Sequence, residues 1–194
     1  AGVPMVFFDR ACKEVNADNV IIDDKQAAFN VTEYLINTGC KDIVHLKGPE
    51  NLTISHQRMI GYKQALERHK IVFDENKVIE ADNFEKAQAV LERLIREKQI
   101  PQAIFAVNDH TALGAMAALK DAHIKIPEQV SVAGFTNGII SRLSDPSLTT
   151  IEQNGYLMGK KAAELLLERI QNDKPLAPRT ELIPTKLIVR KSTY

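Results

Sequence analysis

The sequence predicts an α/β fold built on a parallel sheet. Short runs of β-branched and aromatic residues alternate along the chain with longer segments whose apolar residues recur at helical spacing. Most of the short runs are apolar at consecutive positions, which is typical of strands buried on both faces of a parallel sheet. The predicted strands cover residues 5–8, 20–22, 43–46, 78–80, 103–107, 130–133 and 182–189.

The helices are predicted from stripes of apolar residues. The first stripe, over residues 27–35, follows the Asp23–Asp24 pair and stops before Gly39, a usual residue just after a helix. Further helices are predicted over residues 59–66, 87–95, 111–119 and 155–170, and a turn-rich stretch at residues 173–178 precedes the final strand. The segment 111–119 is so rich in small residues that we expect it to pack closely against the sheet.

The charge balance and the cysteines restrict the possible functions. The chain has 25 Lys and Arg residues and 25 Asp and Glu residues, so it lacks the basic excess with which DNA-binding modules neutralise phosphates. No uncharged stretch resembles a membrane span. Cys12 and Cys40 lie far apart and indicate reduced thiols in a cytoplasmic protein. Because the chain begins Ala-Gly-Val-Pro directly before a strand, we expect it to be a piece of a longer polypeptide.

Polar residues follow four of the predicted strands, at the positions where parallel α/β sheets bind ligands. These residues are Asp9 and Arg10, the loop 48–55 with Arg58 beyond it, Asn108 and Asp109, and Thr136 and Asn137. Taken singly, each has a simple structural explanation. Asp109 suits a helix N-cap, Thr136 and Asn137 suit a turn, and Asp9 can pair with Arg10.

Arg58 is harder to explain by structure alone. If Ser55 caps the second helix, Arg58 lies in the first helical turn, where a cation costs about 0.3–1 kcal/mol against the helix macrodipole. A ligand or a carboxylate partner would offset that cost. The alternative is an exposed Arg58 that pairs with Glu50. The position of Arg58 after a predicted strand favours a functional role.

Patterns typical of enzymes and metal sites are incomplete. Residues 134–138 follow a strand and imitate a nucleophile elbow with Thr136 as the nucleophile, but a hydrolase of that type needs a later histidine, and all five histidines precede this segment. Residues 155–161 resemble a phosphate loop that is one residue short. The sequence contains neither a metal-ligand spacing nor a dinucleotide-binding loop. We therefore predict no catalytic residue, no metal site and no cofactor.

Six short motifs follow one another along the chain. They are Val3-Pro-Met-Val-Phe-Phe-Asp-Arg10, Gly39-Cys-Lys-Asp-Ile43, Gly48-Pro49 with Arg58-x-x-Gly61-Tyr62, Ala106-Val-Asn-Asp109 with Ala112-Leu-Gly-Ala115, Ile126-Pro-x-x-Val130-Ser-Val-x-Gly134-Phe135, and Leu148-Thr-Thr-Ile151-x-Gln153. In this order they resemble the effector-binding core of the lactose-repressor (LacI/GalR) family of bacterial transcription regulators. The resemblance covers essentially the whole chain.

The resemblance implies a periplasmic-binding-protein-like fold of type I, in which two lobes with parallel flavodoxin-like sheets hold a small ligand between them. Residues 23–152 and 182–194 would form the C-terminal lobe. Residues 1–22 and 153–181 would be the remnant of an N-terminal lobe that is largely missing. The family's helix-turn-helix headpiece and hinge are also absent from this sequence.

The resemblance also implies a set of ligand-binding residues. They are Asp9, Arg58, Phe84, Asn108, Thr136 and Gln153. Asp9 would accept hydrogen bonds from ligand hydroxyls, Arg58 would donate through its planar fork, and Asn108 would do both. Phe84 would stack on the ligand ring, although it could equally be a core residue of the third helix, and Gln153 would be a hinge-region contact.

Two departures from the family pattern affect the expected ligand. Thr136 stands where many members have an Asp that makes two hydrogen bonds to a sugar, and Ile54 stands where a Ser or Thr is frequent. A hydroxyl can still bind a ligand, but it contributes less than a carboxylate and does not favour cations. The sequence therefore leaves the class of effector open.

The function implied by the resemblance is effector sensing in a transcription regulator. A sugar or related metabolite would bias the orientation of the lobes and so change how a cytoplasmic homodimer presents its DNA-binding heads to operator DNA. No bond is made or broken, and no membrane is involved. The alternatives are a secreted periplasmic sugar-binding protein of a transporter, which would need a signal peptide, and an enzyme that uses Thr136.

Overall fold

The computed structural model describes residues 3–11, 14–172 and 177–194. The chain forms two compact units, one from Ala1–Asp23 and Gln153–Thr185, the other from Asp24–Glu152 and Lys186–Tyr194. We refer to them as unit 1 and unit 2. Each unit is assembled from two separate stretches of sequence, because the chain leaves unit 1 after Asp23, returns at Gln153 and leaves again after Thr185.

The secondary structure confirms the predicted α/β class. The elements in chain order are β1 (Val6–Phe8), β2 (Asp18–Ile22), α1 (Asp24–Asn37), β3 (Ile43–Lys47), α2 (Thr53–Arg68), β4 (Val78–Glu80), α3 (Phe84–Arg96), β5 (Ala103–Ala106), α4 (Asp109–Asp121), β6 (Ser131–Thr136), α5 (Ile139–Leu143), β7 (Thr149–Glu152), α6 (Gly155–Gln171), β8 (Thr180–Ile183) and β9 (Lys186–Ile188). A 3-10 turn over Glu75–Lys77 precedes β4.

Unit 2 is a six-stranded sheet with helices on both faces. The strand order is β4-β3-β5-β6-β7-β9, and all neighbours are parallel except the antiparallel pair β7–β9. Helices α3 and α4 cover one face, where Leu91, Leu119 and Val132 belong to the apolar core. On the opposite face, which α1 and α2 cover, the hydroxyl of Tyr62 donates to the Ile43 carbonyl at 2.7 Å.

Glycines allow each helix pair to pack closely. A Cβ at Gly61 of α2 would lie 2.1 Å from the Lys25 carbonyl oxygen of α1, and a Cβ at Gly114 of α4 would lie 2.1 Å from the carbonyl oxygen of Phe84 in α3. No side chain fits in either place. The small residues of α4 were expected to permit close packing against the sheet, whereas the close approach at Gly114 is to α3.

The C-terminal segment of unit 2 is buried against the sheet. Ser192 is fully buried, and its hydroxyl donates to the Val132 carbonyl at 2.6 Å and accepts from the Thr149 backbone N–H at 2.8 Å. Thr193 is 5% exposed and shares a hydrogen bond with the Thr149 hydroxyl. This segment therefore supplies polar groups to the interior between β6 and β7.

Unit 1 contains a three-stranded parallel sheet in the order β1-β2-β8, against which α6 packs. The Asp18 carboxylate accepts from the Arg169 guanidinium at 2.5 and 2.6 Å and from the Arg179 backbone N–H at 2.8 Å. These bonds, led by the one from Arg169, lower the pKa of Asp18. A buried carboxylate thus ties β2 to α6 and to the residue before β8.

The strand predicted over residues 182–189 is wrong as a single element. Strand β8 pairs with β2 in unit 1, whereas β9 pairs with β7 in unit 2. Pro184 lies between them and has no backbone N–H for a sheet ladder, which accounts for the break. Cys12 and most of the turn-rich stretch, residues 173–176, lie outside the described residues, while Cys40 is a buried free thiol. Within the described ranges, no helix is long and apolar enough to span a membrane.

Candidate ligand-binding site

Four of the predicted ligand-binding residues lie at one edge of the unit 2 sheet. Because β3, β4, β5 and β6 are mutually parallel, their carboxyl ends share this edge. Arg58 lies on the helix that follows β3, Phe84 on the helix that follows β4, and Asn108 directly before the helix that follows β5. Thr136 is the last residue of β6. Parallel α/β sheets bind ligands at this edge.

The surroundings of Arg58 differ from the sequence-based expectation. Helix α2 begins at Thr53 with Leu52 at its N-cap position, so Ser55 is not the cap and Arg58 lies in the second turn. In the second turn the helix macrodipole disfavours the Arg58 cation less than it would in the first turn. The predicted alternative of an exposed Arg58 is also wrong, because only 3% of this residue is exposed. Glu50 pairs instead with Lys47 at 2.6 Å.

The Arg58 guanidinium is a buried cation held from several sides. Its Nε and Nη2 atoms contact the Asp24 carboxylate at 2.8 and 2.7 Å, and Nη1 donates to the Val107 carbonyl at 2.6 Å. The guanidinium carbon lies 3.5 Å from the centre of the Phe135 ring, a cation–π geometry. Arg58 therefore joins the start of α1 to the ends of β5 and β6, next to Asn108 and Thr136.

Asp24 is the carboxylate partner of Arg58, which the sequence did not predict. The Asp23–Asp24 pair does begin a helix, as predicted, but Asp24 is 8% exposed and its carboxylate faces the Arg58 guanidinium. A buried ion pair of this kind is costly to break from one side, since the remaining charge stays buried without its counter-charge. The only sequence signal was the need of Arg58 for a carboxylate partner.

Asn108 joins the N-termini of α3 and α4. Its Oδ1 accepts from the Thr111 backbone N–H at 2.8 Å and so caps α4, and its Nδ2 donates to the Asp82 carbonyl at 2.9 Å. The prediction that Asp109 is this cap is wrong by one position. Phe84, the first residue of α3, is half-buried, and its backbone carbonyl abuts Gly114. Its role in ligand stacking stays a prediction.

Asp109 belongs to a polar network beneath the loop after β6. It is 2% exposed; its Oδ1 accepts from the Thr150 hydroxyl at 2.6 Å, and its Oδ2 accepts from the Gly138 backbone N–H at 2.8 Å. Burial raises the pKa of Asp109, and these two hydrogen bonds act in the opposite direction. Above it, Thr136 is exposed and has φ 120°, and Asn137 has φ 59°. For a β-branched residue such a backbone costs about 1–3 kcal/mol.

A buried histidine lies in β3 of the same sheet. His45 is fully buried in β3, stacks on Phe105 with ring centres 4.5 Å apart, and its Nδ1 lies 3.0 Å from the Phe105 carbonyl oxygen. Because that oxygen can only accept, Nδ1 carries the proton in the neutral ring. Burial, with smaller effects from the charges of Arg58 and Lys47, lowers the pKa of His45 to about 4.

The remaining predicted site residues belong to unit 1. Asp9 follows β1, is half-buried and has φ 65°, and its backbone N–H donates to the Val20 carbonyl at 3.0 Å. Gln153 is half-buried and follows β7, next to Asn154, whose side chain caps α6. Their contacts with a ligand stay predictions. Across the described ranges, no cluster of three or more His, Cys, Asp or Glu residues is arranged to hold a metal ion.

A parallel α/β sheet with a buried cation and polar side chains along its carboxyl edge is typical of small-molecule-binding domains. Residues 32–193 match the family described as the periplasmic binding protein-like domain. The chain belongs to this family. Within the family it is similar to LacI-type regulators, as the sequence motifs implied.

Three of the similar proteins are named as repressors. The chain is 36% identical over 191 residues to the HTH-type transcriptional repressor CytR of Escherichia coli strain K12, covering 98% of this chain and 56% of the relative. It is 38% identical over 196 residues to the repressor PurR of Vibrio atlanticus, covering 100% and 58%. It is 35% identical over 192 residues to the ribose operon repressor of Halalkalibacterium halodurans, covering 98% and 56%. The chain thus spans little more than half the length of these relatives.

Solved structures of LacI-family regulators share the fold. A LacI-family transcriptional regulator from Enterococcus faecium with bound ribose aligns with a TM-score of 0.88 at 28% identity, covering 98% of this chain and 70% of that one. The transcription regulator CcpA of Lactococcus lactis aligns with a TM-score of 0.89 at 28% identity, covering 98% and 70%.

Proposed function

We propose that this chain is the effector-binding part of a LacI-type transcriptional repressor and that it binds a small sugar at the carboxyl edge of the unit 2 sheet. The observation that carries the proposal is the buried Arg58 guanidinium, fixed by Asp24, Val107 and Phe135 between the positions of Asn108 and Thr136. A fixed planar cation at the ligand-binding edge of the fold lowers the entropic cost of ordering the site when a ligand arrives.

The polar groups at this edge favour a neutral polyhydroxy ligand. Asn108 and Thr136 offer an amide and a hydroxyl, which can both donate and accept, and no carboxylate stands at position 136 to attract a cation. Two relatives described above are associated by name with ribose, one as the repressor of a ribose operon and one as a ribose complex. D-ribose is therefore the first ligand to test.

The regulatory step is an allosteric one in this proposal. The sugar shifts a conformational equilibrium by its difference in affinity for two states, and the shift changes operator binding by a DNA-binding segment outside these residues. Such a protein is cytoplasmic, performs no catalysis and needs no cofactor. The repressor relatives favour this function over that of a periplasmic sugar-binding protein.

We further propose a homodimer that uses the surface of α5. Ile139 and Leu143 lie four residues apart on this short helix, on the same side of it, and are 65% and 76% exposed. Large apolar side chains exposed side by side are typical of surfaces that a partner covers. A second copy of the chain is the expected partner, because symmetric homodimers are the commonest soluble oligomers.

Calorimetric titration with D-ribose, other monosaccharides, sugar phosphates and nucleobases tests the ligand proposal. Arg58→Lys is the informative variant, since it keeps the charge opposite Asp24 but loses the planar fork. Arg68→Lys in the same helix is the control, because the Arg68 side chain is 69% exposed. We expect Arg58→Lys to weaken sugar binding at least ten-fold and Arg68→Lys to leave it unchanged. A folded Arg58→Lys protein that binds as tightly as the wild type contradicts the assignment of the site.

A further inference from the structure

The loop that carries Thr136 has a backbone that its own residues disfavour. Thr136 and Asn137 both have positive φ, at 120° and 59°, and Thr136 is β-branched. Asparagine tolerates the left-handed region, but a β-branched residue there is an outlier that persists only when neighbouring groups hold it. Thr136 is also exposed, so packing of its own side chain does not supply that constraint. The holding contacts must come from the residues around it.

Two buried side chains hold the backbone N–H groups of this loop. The Thr150 hydroxyl of β7 accepts from the Asn137 N–H at 3.3 Å and donates to Asp109 at 2.6 Å. The second oxygen of the Asp109 carboxylate accepts from the Gly138 N–H at 2.8 Å. Consecutive backbone amides are thus bound to one connected pair of side chains, both of which are buried within unit 2.

A third side chain holds the loop from the segment after β9. The Nη2 atom of Arg190 donates to the Asn137 Oδ1 at 2.5 Å, and Nη1 donates to the Leu148 carbonyl at 2.7 Å. The Arg190 backbone N–H is itself bound to the Thr149 hydroxyl at 2.8 Å, which fixes the base of the side chain. The Asn137 amide also donates to the Glu152 carboxylate. The loop is therefore bound to β7 and to the C-terminal segment of unit 2.

We propose that Asp109, Thr150 and Arg190 are positioning residues that hold the loop of residues 136–138, in which Thr136 and Asn137 have positive φ, and thereby present Thr136 to the ligand. This inference rests on the proposed function for its ligand and on the hydrogen bonds above for the positioning itself. Without these contacts the backbone of Thr136 relaxes to negative φ, and its hydroxyl leaves the place where a sugar hydroxyl meets it. The specificity of the site then depends on residues that never touch the sugar.

A double-mutant cycle between Arg190→Gln and Thr136→Gly tests the positioning without any ligand. Glycine adopts positive φ freely, so Thr136→Gly should lower the unfolding equilibrium constant about five-fold in the wild type. The Arg190→Gln protein lacks one of the three holding contacts, so the same substitution should change that constant less than two-fold. Equal effects in both backgrounds, measured by urea denaturation, would overturn the proposal.

Amide hydrogen exchange provides a second measurement, with Thr150→Val as the variant. Valine keeps the shape of the buried side chain but removes the hydroxyl, so the Asn137 and Gly138 amides should exchange at least ten-fold faster relative to the interior amides of β5. Thr32→Val is the matched control, because Thr32 is fully buried in α1 and its hydroxyl bonds only locally to the Ala28 carbonyl at 2.8 Å. If the exchange rates of the Asn137 and Gly138 amides change only as much as the global free energy of unfolding does, in Thr150→Val as in Thr32→Val, Thr150 has a merely structural role.

Titration with D-ribose connects the positioning to the ligand. Thr150→Val should raise the Kd for ribose at least ten-fold, while Thr32→Val leaves it unchanged. Ribose binding that survives Thr150→Val intact overturns the link between the positioning residues and the site. If the wild type binds none of the sugars in the panel, the proposed function fails. The double-mutant cycle and the amide exchange rates still decide whether Asp109, Thr150 and Arg190 position the loop.

Discussion

Protonation of the buried His45 should destabilise the fold between pH 6.5 and pH 4. The pKa of His45 is lowered from 6.5 to about 4 in the folded protein, chiefly by burial. At pH values between these two, the unfolded chain binds a proton that the folded chain does not bind, so stability falls as the pH falls. The contribution of neutral His45 to the free energy of unfolding is fully present above pH 6.5 and is lost progressively as the pH falls to 4.

The magnitude follows from the two pKa values. Each unit of difference is worth about 1.4 kcal/mol, so lowering the pH from 7.5 to 4.5 should remove about 2.5 kcal/mol of unfolding free energy through His45 alone. Asp109 acts in the opposite direction, because burial raises its pKa and the folded state gains stability as that carboxyl is protonated. The effect of His45 must therefore be isolated with a variant.

Urea denaturation across this pH range, with His45→Gln beside the wild type, is the appropriate assay. Glutamine can donate to the Phe105 carbonyl but cannot ionise, so the free energy of unfolding of the variant should lose the decline that the wild type shows. His56→Gln, at an exposed position of α2, is the control and should retain it. If the unfolding free energy of His45→Gln declines with falling pH as steeply as that of the wild type, His45 is not the cause of the decline.

Three further predictions concern the ion pair, the helix packing and the proposed dimer. Asp24→Asn leaves a buried guanidinium opposite a neutral group and should cost about 3–5 kcal/mol of unfolding free energy. Asp23→Asn changes an exposed residue and should cost under about 0.5 kcal/mol. Equal losses of unfolding free energy in the two variants would show that burial of the ion pair does not matter. Gly61→Ala places a Cβ 2.1 Å from a backbone oxygen of α1 and should lower the melting temperature, while Gly159→Ala in α6, where nothing lies within 4 Å, should raise it. Leu143→Glu should convert the proposed dimer to a monomer in analytical ultracentrifugation, and an unchanged sedimentation coefficient would rule out α5 as the interface.

The sequence was informative wherever local pattern decides structure. Alternating strand and helix patterns predicted the α/β class, and the polar residues after the strands predicted which edge of the sheet carries the candidate site. Strand β7 was missed, because its sequence Thr-Thr-Ile-Glu carries little apolar signal; its threonines are buried only because Asp109 and the segment after β9 supply hydrogen-bond partners.

Partners distant in sequence could not be predicted in the same way. The sequence predicted a ligand or a carboxylate partner for Arg58, but Asp24 is 34 positions away, and only the packing of α1 against α2 brings the two together. Arg190 gave no sequence signal, since its role depends on β9 joining the sheet beside β7. The break between β8 and β9 at Pro184 was the local clue to that arrangement.

The discontinuity of unit 2 has a kinetic consequence. Strand β9 and the buried Ser192 join the sheet only when the chain returns across residues 153–185, so those residues act as a closing loop for unit 2. While unit 1 is unfolded, that loop is flexible and its closure carries an entropic cost; once unit 1 is folded, the ends of the loop are already constrained. Folding of the two units is thereby coupled through the chain itself, and the antiparallel β7–β9 pairing should form late.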